Sequence, residues 1–377
     1  MHLTAGQARF RRSFFFLSQY CLLGQYILYC EAITAFLEPS VTTMTMPIPF
    51  LRGLSAVAVA AMLALAAVVP SPAAAEPATA EGASPLVSAA WLKARLDDPD
   101  LVILDIRSAI DGGGAQAYLK GHIPKAVYSD YDKAGWRVTR NNIPLILPTI
   151  PELEKLIGEI GIDEDSHVVV VPAGVHVLDF GAAARVYWTL KVLGHGKVSI
   201  LDGGFAAWKA DPANPIETER RAPAPKIFTA ALDKSLLATV EEVEEASRSG
   251  NTNLVDARPP TFFSGKVKHD KALAYGHIPG ARNVDSALLY DPATNRLKPK
   301  EELAAIFAAV PDGPVTSYCN TGHWAATDWF VLSEILGRRD VRLFPGSMVQ
   351  WTADERRPVA SQRTRWDDFK KRLGFGS

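Results

Sequence analysis

The sequence predicts an α/β protein built from two tandem copies of one domain, each a mainly parallel sheet covered by helices on both faces. Three observations carry this. The chain has 377 residues, more than one ordinary core needs. Short apolar strands alternate with helical stretches, the pattern of a parallel sheet with helices on its faces. Several landmarks also recur in the same order in both halves, which marks a duplicated domain rather than a solenoid of small repeats.

The landmarks pair as follows. Leu101-Val102-Ile103-Leu104-Asp105-Ile106-Arg107 parallels Asn253-Leu254-Val255-Asp256-Ala257-Arg258, each an apolar strand closed by Asp-x-Arg. Gly121-His122-Ile123-Pro124 parallels Gly276-His277-Ile278-Pro279, and the strand Val168 to Val171 parallels the one ending before Cys319. Leu201-Asp202-Gly203-Gly204 through Trp208 parallels Leu343 through Pro345-Gly346-Ser347 to Trp351.

Helices are expected at Ser88 to Leu96, Pro151 to Ile160, Phe180 to Leu193, Lys300 to Ala309 and Ala325 to Leu336. Another follows Thr239, which forms a capping-box signature with Glu242, while Gly337 stands where a helix C-terminal glycine would. The expected division is 84–210 for the first domain, 211–231 for a proline- and charge-rich linker, and 232–365 for the second domain.

The front of the chain reads as a leader. Leu54 to Val69 is an almost unbroken Ala/Val/Leu run preceded by Arg52 and followed by Ala73-Ala74-Ala75, a signal-peptide pattern over residues 44–75. Residues 1–43 read as an over-extended start or an additional leader, since Arg11-Arg12 precedes a second apolar stretch. Export to the periplasm or beyond follows. Cys21 and Cys30 precede the expected cleavage site, so the mature chain keeps Cys319 alone and forms no internal disulfide. The 41 acidic and 40 basic residues nearly cancel, which argues against a nucleic-acid binder.

Cys319 is the candidate nucleophile. Pro314 to Tyr318 reads as a short buried strand, and Asn320, Thr321, Gly322, His323 and Trp324 form a tight turn into the helix from Ala325. Successive backbone N–H groups around a sulfur in such a turn stabilise negative charge on it. The counterpart in the first half, Val171-Pro172-Ala173-Gly174-Val175-His176, has no thiol and is expected to be a somewhat longer, chemically silent loop.

With these motifs in order and present twice, the chain resembles the rhodanese family of thiosulfate and 3-mercaptopyruvate sulfurtransferases, over roughly Ser84 to Pro358. The resemblance implies two rhodanese-like domains and a persulfide on Cys319, cradled by the loop Asn320 to Trp324. Sulfur would pass in two steps from a small donor such as thiosulfate to cyanide or a thiol, or to a protein acceptor. It implies no metal or organic cofactor. The alternative is a sulfur-carrying or protein-binding module without turnover.

Other residues divide between roles. His122 and His277 are expected to be structural because both halves have one, and Asp256 and Arg258 likewise because Asp105 and Arg107 repeat them. His323 stays open between supporting a negative charge at the site and a structural role, and Trp324 between lining the pocket and anchoring the loop. Family members commonly carry a basic or small polar pair after the cysteine and an arginine four residues past Asp-x-Arg. Here Asn320, Thr321 and Phe262 stand there, so the usual anion clamp is either missing or rebuilt from Arg258, Lys266, Lys268 or His323. The related phosphatase loop, Cys-x5-Arg, is excluded because Ala325 replaces the arginine.

Overall fold

The computed structural model describes residues 83–364. The expected leader, Cys21, Cys30 and the end of the chain lie outside the described residues. In the first half the chain runs β1 (Leu86–Val87), α1 (Ala89–Lys93), β2 (Leu101–Asp105), α2 (Gly114–Lys120), β3 (Val127–Tyr128), β4 (Val138–Arg140), β5 (Ile143–Ile146), α3 (Ile150–Glu159), β6 (His167–Val171), α4 (Val177–Val192), β7 (Val198–Leu201) and α5 (Gly204–Lys209). The second half runs α6 (Val240–Ser249), β8 (Asn253–Asp256), α7 (Pro260–Phe263), β9 (Arg282–Asn283), β10 (Tyr290–Asp291), β11 (Arg296–Leu297), α8 (Lys300–Ile306), β12 (Val315–Tyr318), α9 (Trp324–Phe330), β13 (Val341–Leu343) and α10 (Ser347–Trp351).

Each half builds one parallel sheet, in the order β1-β7-β6-β2-β3 and β13-β12-β8-β9. The duplication extends to the edge, where a single parallel bridge from Leu237 to Leu343 takes the place of β1 beside β7. The valine run of β6 is buried from Val168 on, as a central strand covered on both faces requires. β6 and β12 therefore end on the same side of their sheets, where parallel α/β folds present their sites.

Local chemistry sets the helix boundaries. Capping boxes of Thr149 with Glu152 and of Thr239 with Glu242 start α3 and α6. Helix α4 begins ahead of Phe180 because His176 acts as its N-cap, its Nδ1 accepting the Leu178 N–H. Beyond Ile306 the last turn of α8 tightens into a 3₁₀ segment, Phe307–Ala309, and beyond Phe330 the helix widens into a π turn, Val331–Ile335. The expected linker, 211–231, has no helix and no strand, yet it is fastened to the first half. Glu217 exchanges backbone bonds with His122, and the Lys226 and Ala231 N–H groups donate to Gly158 and Leu193.

The two halves share one hydrophobic core. Helix α4 is buried along nearly its whole length because it lies between its own sheet and α9 of the other half. Phe330 is the centre of that contact, with Tyr187 and Phe180 edge-on to it at ring separations of 5.0 and 5.7 Å. The Tyr187 hydroxyl then donates to Glu334 at 2.6 Å.

A fragment starting at Leu232 would lose α4 and expose Trp329 and Phe330. We expect it to bind a hydrophobic dye and to lack the near-ultraviolet circular dichroism of a packed core, while the intact chain unfolds in one cooperative transition. A fragment with native-like spectra and two separate transitions in the intact chain would contradict the shared core.

Candidate active site

Backbone bonds align the two halves residue by residue at the strand ends. Met348 and Val349 donate their N–H groups to the carbonyls of Cys319 and Asn320, both at 3.0 Å. Phe205 and Ala206 do the same to Pro172 and Ala173, at 2.8 and 2.9 Å. Pro172 is thus the positional equivalent of Cys319. Each loop then leads to a histidine at the helix N-cap, His176 or His323, so the two loops have equal length. The longer loop expected in the first half is not there. The halves differ in side chains, not in backbone length.

Cys319 directly follows β12 and is almost fully buried, 1% exposed. Its N–H donates at 2.9 Å to Oγ of Ser347, whose hydroxyl donates onward to the Phe344 carbonyl. Ser347 holds a positive φ of 49°, where the first half has Gly204. An ordinary side chain in that region costs about 1–3 kcal/mol, and its hydroxyl is what fixes the nucleophile's backbone. Gly322 turns the loop at φ 73°, with any Cβ there running into the Pro345 carbonyl and Arg185. Among the described residues, none of the N–H groups from Asn320 through Ala325 has a protein acceptor. They form a cradle of free donors around the residue after β12.

The silent loop is filled instead. Asp179 accepts the Val175 N–H at 2.8 Å through one carboxylate oxygen. Burial pushes its carboxyl up to about 6, against the pull of the loop N–H groups. The matching position in the second half is Ala326, which brings no carboxylate to the Cys319 loop.

The two Asp-x-Arg pairs serve one task. Arg258 binds Asp256 through Nε and Nη2, at 2.8 and 2.6 Å, and reaches the Gly276 carbonyl at 2.7 Å. Arg107, Asp105 and Gly121 repeat this arrangement. The turn histidines also match, each stacked on an aromatic ring and bonded through Nδ1 to a carbonyl: His122 on Tyr118, His277 on Phe263. What distinguishes the second half is a further contact from Arg258 Nη1 to Oδ1 of Asn320 at 3.4 Å.

The expected anion clamp is not assembled from the residues named for it. Arg258 is spent on Asp256 and Gly276, and Lys268 donates to the Ala272 carbonyl at 2.6 Å. Lys266 is exposed and forms no bond to the loop. Phe262 packs edge-on to Trp324 at 5.8 Å, walling the loop from outside.

His323 is also reassigned. It faces the first half, where Nδ1 meets the Tyr131 hydroxyl at 3.0 Å and the ring lies against Gly181, too close to admit a Cβ. Full burial and the nearby Arg137 and Arg185 pull its imidazole down to about 3. Buried between Tyr131 and Gly181 of the first half, His323 fastens the seam.

Sequence reasoning missed the groups that the first half delivers here. Arg185, on α4, is fully buried and donates through Nη1 to the carbonyls of Gly322 at 3.0 Å and Thr321 at 3.5 Å. Arg137 stacks 4.2 Å above the Tyr131 ring and pairs with Asp132 at 2.7 Å. The signal for Arg185 was a lone cation inside the apolar run Phe180 to Leu190.

A rhodanese-like domain model matches residues 88–211 and again 239–354. The chain belongs to the rhodanese-like family. The 3-mercaptopyruvate sulfurtransferase of Escherichia coli is 34% identical over 281 residues, covering 72% of this chain and 96% of that one. The thiosulfate sulfurtransferase of Rattus norvegicus is 32% identical over 286 residues, covering 71% and 91%. The crystal structure of SseA from Escherichia coli superposes with a TM-score of 0.60 at 32% identity, covering 70% of this rhodanese-like chain and 98% of that one.

The buried imidazole makes a pH prediction. The folded value of about 3 lies below the ordinary 6.5, so the unfolded chain takes up a proton first as the pH drops. Stability is therefore lost from pH 6.5 downwards, by an amount on the order of a few kcal/mol. His323→Gln should flatten this acid slope in denaturant titrations and leave the alkaline side of the activity profile unchanged. An alkaline limb that vanished in the variant would return His323 to the catalytic groups.

Proposed function

We propose that this chain is a sulfurtransferase that carries sulfane sulfur as a persulfide on Cys319. The observation that carries the reading is the cradle of unpartnered N–H groups from Asn320 to Ala325 around a buried cysteine, where the duplicate half has Pro172 and a carboxylate in its loop. The kinship to sulfurtransferases supports the same reading.

In the first step the Cys319 sulfur attacks the outer sulfur of a small donor. With thiosulfate the sulfur–sulfur bond breaks and sulfite leaves with the electron pair; with 3-mercaptopyruvate the carbon–sulfur bond breaks and the carbon takes the pair and a proton. The persulfide anion then rests among the loop N–H groups, which are oriented before the charge arrives. In the second step cyanide or a thiolate attacks the outer sulfur and Cys319 is regenerated. Atoms and electrons balance without a redox partner. The Thr321 hydroxyl, two residues past the sulfur and free of protein partners, is available to a bound donor.

The leader pattern before residue 76 supports export to the periplasm. No helix among the described residues is long and apolar enough to cross a membrane.

Mass spectrometry of the protein after incubation with thiosulfate or 3-mercaptopyruvate should find one added sulfur on Cys319, and a donor and acceptor panel should find repeated release. Cys319→Ser should abolish both. Residual transfer near the parent rate would remove the mechanism, whereas loading without release would leave a sulfur carrier. Export is tested separately by N-terminal sequencing of periplasmic protein, expected to begin near Glu76; an intact Met1 in the cytoplasm would refute it.

A further inference from the structure

Arg185 is a buried cation without a carboxylate. It belongs to α4 of the half that has no cysteine, it is fully buried, and among the described residues its only bonds go from Nη1 to the Gly322 and Thr321 carbonyls. Its Nε and Nη2 have no partner. Buried charge is normally paired, because a guanidinium taken out of water without compensation is strongly disfavoured. The loop carbonyls supply only partial charge, and the aromatic face of Trp188, 5.0 Å from the guanidinium carbon, supplies little more.

We infer that Arg185 is the resident counter-cation of the site, placed by the silent half to balance the anion that forms on Cys319 when sulfur is loaded. The inference rests on the reading of Cys319 as the sulfur carrier.

The other groups around the loop do not compete for this task. Arg258 is already neutralised by Asp256, and Arg137 by Asp132. His323 is neutral, and burial raises the Tyr131 phenol so that it stays protonated. Among the described residues, no carboxylate forms an ion pair with Arg185. Burial pulls its guanidinium down to about 10, with the charge of Cys319 among the influences acting the other way, so it remains a cation at neutral pH. Because the cation comes from α4 and the sulfur from the loop before α9, each turnover alternately balances and unbalances a charge across the seam. Sulfur loading is thereby linked to how firmly the halves hold together.

The test uses the full chain and its Arg185→Met and Arg185→Lys variants, with two readouts. The first is the ratio of inactivation rates by iodoacetate and iodoacetamide, reagents of similar size of which only the first is an anion. Wild type should favour iodoacetate. The ratio should fall roughly tenfold or more in Arg185→Met and recover largely in Arg185→Lys. The second is the melting temperature before and after loading with thiosulfate or 3-mercaptopyruvate. Loading should raise it by several degrees in wild type and by nothing in Arg185→Met.

A merely structural arginine would lower both melting temperatures alike and leave the reagent ratio unmoved, and that result would overturn the inference. If Arg185→Met does not fold, Arg185→Lys decides, since loss of the iodoacetate preference with the charge retained would also overturn it. The alkylation readout needs no sulfur, so failure of Cys319 to load would end the sulfur-carrier reading while Arg185 is still tested.

Discussion

The contact between α4 and α9 is the constraint on which the rest depends. Helix α9 begins where the cysteine loop ends, so whatever fixes α9 fixes the loop. One side of α9 meets its own sheet; the other has no cover of its own and is closed by Phe180 and Tyr187 from the first half. The same helix that supplies this apolar cover carries Arg185 to the loop carbonyls and offers Gly181 as the bare surface on which His323 rests. Packing and electrostatics of the site therefore arrive on one element.

Duplication explains how a half without a cysteine can still shape the loop of the other. Both halves keep the Asp-x-Arg clamp, the stacked histidine and the backbone bonds that hold the strand-end loop. These are scaffold features, and their repetition is the physical reason to read them so. The difference is confined to what fills the loop. Pro172 stands where the second half has Cys319, and Asp179 brings a carboxylate that accepts a loop N–H group. The first half instead sets α4 against the loop of the other half.

Much of this was legible in the sequence and part was not, for identifiable reasons. Repeated motifs revealed the sheets, the duplication and the Cys319 turn because strand periodicity and turn residues are local. The capping box of Thr239 was equally local. Arg185, Tyr131 and Ser347 were illegible as site residues because they reach the loop only through tertiary packing, from helices and turns far along the chain. His323 misled for the complementary reason: a histidine beside a nucleophile suggests chemistry, and only the position of α4 reveals that the ring points the other way. The anion clamp expected among Lys266 and Lys268 followed from neighbourhood in sequence, which the fold does not preserve as neighbourhood in space.

The cradle around Cys319 is made of main chain. Side-chain substitutions at Asn320, Thr321 or Trp324 leave every N–H group of the loop in place; only proline would delete a donor, and a Cβ at Gly322 would bend the turn itself. Reactivity and selectivity are therefore written in separable parts of the molecule. Lineages descending from such a protein are free to exchange one sulfur compound for another through the rim while inheriting the reactive centre intact, and that makes the loop a durable platform for diversification rather than a lock fitted to one key.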